Sequence, residues 1–213
     1  MTIVPVPGDA NDDDPIKKLL DWIVNVGING FSVLPAAKKV AEDHLSACGY
    51  DKDKAINSII TWRTAYAAGT GFVTGLGGLA TLPITIPASL ASSYALAANT
   101  AAAIASVRGY DIESDQVRTF VLLALLGDST LEVMKTVGVN LGTKLTKSLI
   151  SQIPGKVLIE INKKVGFRLI TKAGEKGVVN LMKLVPIVGG VVGAGFDGTF
   201  VNKCGKVAKN LFN

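Results

Sequence analysis

A chain of 213 residues with 48% apolar side chains, a mean hydropathy of +0.39 and a net charge of +5 is long enough to bury one well-formed core. Its two cysteines and 6% aromatic content exclude a disulfide scaffold and argue against a β-sandwich, leaving close-packed helices rich in Ala and Gly. The charge is uneven, with nine acidic and seven basic groups in residues 1–63 but three acidic groups against thirteen Lys and Arg in residues 133–213.

Residues 1–13, rich in Pro, Gly and Asp, are expected to form a disordered acidic tail. They have neither the basic start nor the apolar centre of a signal peptide, so a cytoplasmic protein is expected. Asp14-Pro15 supplies an N-cap and a first helical proline. The helix that follows, with Ile16, Leu19, Leu20, Ile23 and Val24 as its apolar stripe, is expected to close at Gly27 and Gly30. A second helix is expected over 34–47, stopping at Gly49, and a third from Asp51.

The third helix leads into the stretch that organises the chain. Thr64 to Val107 runs 44 residues without a charged side chain. Pro83 and Pro87 interrupt it, and two prolines four apart break a helix. The stretch therefore reads as a hairpin of two apolar helices. Each arm is long enough to span a bilayer. The arms are built from Gly, Ala and Ser rather than Leu and Phe, however, which favours close packing inside a bundle over insertion.

Beyond the hairpin, Ser114 caps a helix apolar nearly all round, which Gly127-Asp128 ends. A helix is expected over 131–149, and Pro154-Gly155 breaks the chain again. Next comes a basic stripe, Lys156, Glu160, Lys164, Arg168, Lys172 and Lys176, with Lys163 beside it. An apolar row of Val157, Ile161, Val165 and Leu169 runs alongside, and the segment is expected to kink or break at Gly166 and Gly174. A Gly-rich apolar run opens at Pro186, and a last helix is expected over 199–211. No alternating strand pattern occurs. The fold class expected is all-α, a compact bundle of about seven or eight helices around the 64–107 hairpin, with 14–213 as one domain.

Catalytic signatures are missing. There is no HExxH, CxxC or GxSxG, and no Gly-rich loop is followed by GK[ST]. The lone His44 sits among charged residues of a surface helix and is expected to be neither catalytic nor a metal ligand. The basic third has too few aromatics for a nucleic-acid reader. No cofactor and no nucleic acid are therefore expected. Asp128 and Asp197 fall in apolar surroundings. Each is expected either to cap a helix at the surface or to pair with Arg168 or Lys172 inside the bundle.

The runs GFVTGLGGLATLPITIPASL, AAAIASVRGYD, QVRTFVLLALLGD, IPGKVLIEINKKVGFRLITKAGEKG and VPIVGGVVGAGFDGTF occur in an order that resembles the EcsC protein family, from about Ala55 onward. The positions carrying that likeness include Gly75, Gly77, Pro83, Pro87, Gly109, Tyr110, Asp128, Gly166, Arg168, Lys172, Gly174, Glu175, Gly177, Pro186, Gly189 and Asp197. The family is bacterial, helical and largely without an assigned activity, and is named for its neighbourhood with an ABC-transporter operon. The resemblance implies a membrane-linked accessory role and offers no catalytic residues.

The function expected is thus a non-enzymatic protein, peripheral to the cytoplasmic face of the membrane, whose partner is the anionic surface or a membrane protein. Lys156, Lys163, Lys164, Arg168, Lys172 and Lys176 would contact lipid, aided by Lys203, Lys206 and Lys209. The alternative is a soluble helical protein that binds an apolar ligand or a partner helix.

Overall fold

The computed structural model describes residues 5–7, 14–68, 88–139, 146–177 and 189–213, without the side chains of 88–89, 172–177 and 189–196. Gly75, Gly77, Pro83, Pro87 and Pro186 lie outside the described residues, as does most of the expected first hairpin arm. The described residues form nine α-helices and one 3-10 turn. They contain no strand, only an isolated bridge between Phe31 and Leu34. The all-α expectation holds.

The first helix, α1 (Pro15–Asn29), starts where Asp14 accepts the Ile16 amide at 2.9 Å and ends at Gly30, whose φ of +76° suits glycine. Gly27 does not end it. It lies inside α1, where a Cβ would stand 2.6 Å from that of Ala98, so it marks a helix crossing. The second helix, α2 (Ala37–Ala47), starts three residues after the expected Leu34, which is held in the Phe31–Leu34 bridge. The third, α3, spans Lys52–Ala68.

The fourth helix, α4 (Ala88–Val107), is the centre of the bundle. Its Leu90–Val107 window is apolar enough to cross a membrane, with a mean hydropathy of 1.3, yet 89% of it is buried within the protein. Ala95, Ala98, Ala101, Ala102 and Ala105 are fully enclosed. Small side chains on every side let α1, α2, α3, α5 (Asp115–Ala124) and α9 (Gly189–Leu211) pack against one helix. The buried Asn99 amide donates to the carbonyls of Gly27 at 2.8 Å and Pro35 at 2.9 Å. One side chain thus ties α1 and the approach to α2 onto the core.

Ser114 caps α5 by accepting the Val117 amide at 3.4 Å. After the 3-10 turn Gly127–Ser129 comes α6 (Thr130–Thr136), which stops at Gly138, where φ is +76°. The single helix expected over 131–149 is therefore not formed. A separate short helix, α7 (Lys147–Ser151), is capped anew by Thr146. By contrast α8 (Gly155–Gly177) continues through both Gly166 and Gly174. Gly166 is the contact with α1, where a Cβ would lie 2.2 Å from Cγ2 of Ile16. The last helix, α9, begins ten residues before the expected Thr199 and packs on α3 and α4.

Three residues of the expected tail are described, and they are packed. Val6 is buried with its amide on the Asp21 carboxylate, and the Pro7 carbonyl accepts from Asn162 at 2.8 Å.

Candidate functional site

The basic segment forms one continuous helix whose buried row is Leu158, Ile161, Val165 and Leu169, set against α1, α5 and α6. Its opposite side exposes Lys156, Glu160, Lys163 and Phe167. Lys163 and Lys164 precede Phe167 by four and three residues, which places all three on one face. Lys164 is half-buried beside Glu160, at 3.9 Å. Phe167 is 65% exposed on that face.

The six basic residues expected to face a membrane therefore divide. Lys156, Lys163 and Lys164 stand on the outer face of α8. Arg168 does not, because its guanidinium holds Glu132 of α6 through both oxygens, at 2.7 and 3.2 Å. That pair holds the Glu132 carboxyl below the usual range, by hydrogen bonding and charge together. The side chains of Lys172, Glu175 and Lys176 lie outside the described residues. The helpers are partly occupied as well: Lys203 pairs with Asp128 at 2.9 Å and Lys209 with Asn57 at 2.8 Å, while Lys206 is exposed.

Asp128 lies at the surface in the 3-10 turn, as one expectation had it. Of the alternative pairings, the one with Arg168 is not formed among the described residues, where Asp128 meets Lys203 and Arg168 meets Glu132, and the one with Lys172 lies outside the described side chains. Asp197, on α9, accepts from the Ser93 hydroxyl at 2.7 Å, and burial pushes its carboxyl upward against that hydrogen bond. Gly177 and Gly189 are the last residue of α8 and the first of α9.

A second site escaped the sequence reading. Val33, Pro35, Val40, Asp43, His44, Trp62, Arg63 and Tyr66 line a cleft of about 380 Å³ between α2 and α3. On α3, Trp62, Arg63 and Tyr66 fall within one turn. The Trp62 and Tyr66 rings stack at 5.9 Å and 15°, and Trp62 is 59% exposed. Arg63 is only 3% exposed. Its Nε is buried without a hydrogen-bond partner, and no described carboxylate pairs with it. Burial lowers its pKa to about 10, opposed by Tyr66. Asp43 is paired with Lys39 at 3.0 Å.

His44 stands among the exposed Glu42 and Asp43 of a surface helix, as expected, but is itself half-buried and shares a 2.9 Å hydrogen bond with the Ser58 hydroxyl. Burial first and the Arg63 charge second lower its pKa, while Asp43 raises it. A base held below its ordinary value contributes stability above that value and loses it as the pH falls. Lowering the pH from about 7.5 to about 5.5 is therefore expected to lower the thermal midpoint, and His44→Gln to remove part of the drop. An unchanged slope in that variant would show that His44 is not the titrating group.

Among the described residues, no three His, Cys, Asp or Glu side chains are grouped to hold a metal ion. No curated protein and no solved structure matches the chain. The EcsC family profile matches residues 37–213, taking in α2 as well as the segment from Ala55, and so both helices of the cleft but not its Val33 and Pro35. The chain belongs to the EcsC protein family.

Proposed function

We propose that this protein is a non-enzymatic accessory protein of the cytoplasmic membrane face, held reversibly to anionic lipid by the outer face of α8. Its neighbourhood there would include membrane proteins of the ABC-transporter class rather than nucleic acid. The observation that carries the reading is Phe167, 65% exposed on the face that bears Lys156, Lys163 and Lys164. An aromatic ring among lysines suits the head-group boundary, where the ring enters the acyl region and the ammonium groups meet phosphate.

Each lysine near an anionic surface contributes roughly 1 kcal/mol and a buried phenylalanine roughly 1.5–3 kcal/mol. A total of about 5 kcal/mol gives reversible attachment rather than permanent insertion. The test is flotation with phosphatidylserine vesicles and with neutral vesicles, at low and high salt. Flotation is expected only with the anionic vesicles, lost in salt and reduced at least about tenfold by Lys156→Gln/Lys163→Gln/Lys164→Gln. Phe167→Ser should weaken it at low salt. No flotation, or flotation that the triple variant leaves unchanged, would overturn the reading.

A further inference from the structure

The buried cation of the α2–α3 cleft lies apart from the α8 face. An arginine keeps its proton at neutral pH even with its pKa lowered. Burying that charge without a partner is expensive. Arg63 is 3% exposed, its Nε has no partner, and no described carboxylate pairs with it. Among the described residues, Asp43 is the one carboxylate that lines the cleft, and it forms no ion pair with Arg63. The nearest ion-pair partner of Asp43 is Lys39, at 3.0 Å, and burial together with Arg63 itself lowers the His44 pKa.

Apolar groups make up most of the remaining lining. Trp62 and Tyr66 present a stacked pair of rings, and Val33 is 51% exposed. A cleft of about 380 Å³ falls in the size range of small-ligand sites, which combine apolar walls with a few fixed polar groups. A guanidinium fork matches a carboxylate or a phosphate through paired hydrogen bonds.

We infer that this cleft binds a small organic anion, with its carboxylate or phosphate on Arg63 and an aromatic or apolar body against Trp62 and Tyr66. The inference does not depend on membrane attachment through α8. The acidic group can belong to a soluble molecule or to a lipid phosphomonoester, and the chemistry at Arg63 is the same for both.

The test follows the Arg63 Nε–H and the Trp62 indole N–H of the full chain by NMR during titration with phenyl phosphate, benzoate, inorganic phosphate and benzyl alcohol. Saturable shifts of both signals are expected with phenyl phosphate or benzoate, at least tenfold weaker binding of inorganic phosphate, and no shift of Arg63 with benzyl alcohol. Arg63→Met should abolish binding while the chain stays folded. Trp62→Ala, at an exposed position, should weaken it at least fivefold and is informative even if the arginine variant fails to fold. Phe167→Ser should leave binding unchanged, which separates this site from the α8 face.

Vesicles containing phosphatidic acid provide the second arm. Displacement of phenyl phosphate by them, or Arg63-dependent binding of the vesicles alone, assigns the site to a lipid head group. Binding of the soluble anions without displacement assigns it to a free molecule. No Arg63 shift with any of these probes, or binding that survives Arg63→Met, would overturn the inference. Inorganic phosphate binding as tightly as phenyl phosphate would overturn the role given to the rings.

Discussion

Gly27→Leu is expected to lower the unfolding free energy by about 3 kcal/mol or more, at the upper end of what overpacking a core costs. At Gly27, α1 crosses α4 with no room for a side chain between them. Even a bare Cβ there would lie 2.6 Å from Cβ of Ala98 and 3.0 Å from both the Ala98 carbonyl carbon and the Asn99 amide nitrogen. Two of those three are backbone atoms, so no rotamer relieves the contact. Pushing the helices apart would also stretch the Asn99 bonds to Gly27 and Pro35, leaving polar groups buried without partners. The gain in helix propensity on losing a glycine, about 1 kcal/mol, is too small to compensate. Gly155→Ala is the control, because nothing lies within 4 Å of a Cβ there. Urea unfolding of both variants decides the matter, and equal stabilities would mean that the crossing is not close-packed in solution.

Arg63→Met is expected to move stability the other way, raising it by on the order of 1–3 kcal/mol in the absence of ligand. The sign follows from the protonation states. Burial lowers the Arg63 pKa to about 10, so at neutral pH folded and unfolded chains both hold the proton, and the folded chain bears the whole desolvation cost. That cost is relieved only as the pH rises through the folded value. Methionine keeps the length and much of the apolar stem while discarding the charge. A stability gain at neutral pH, read by urea unfolding, would mark Arg63 as a residue kept for recognition rather than for folding. A loss of stability would mean instead that the guanidinium supports the fold through a partner.

What the sequence disclosed and what it hid separate along a physical line. Asp14 before Pro15, and Ser114 before Asp115, were legible as helix starts, because a cap is a contact within three residues. The central place of α4 was legible from a long run without charge, which only burial on all sides or lipid can accept. Glycine was ambiguous. Gly30 and Gly138 end helices at positive φ, while Gly27 and Gly166 sit within helices because another helix touches them. The same residue serves both purposes, and local pattern does not distinguish them.

Charges were legible as faces but not as pairs. A four-residue spacing placed Lys156, Glu160, Lys164 and Arg168 along one side of α8, yet the partner of Arg168 is Glu132, 36 residues away. The cleft was the least legible feature. His44 and Arg63 belong to different helices, and their meeting depends on how α2 and α3 pack.

The core position of α4 sets a problem of timing. Its last cover, α9, is synthesised roughly a hundred residues later, an interval of about 5–20 s at ordinary rates of translation. Throughout that interval a 20-residue uncharged helix, as oily as some membrane spans, lacks one of the neighbours that hide it. Until Gly189–Leu211 arrives, the nascent chain offers chaperones and membrane-insertion machinery a target that the finished protein no longer displays.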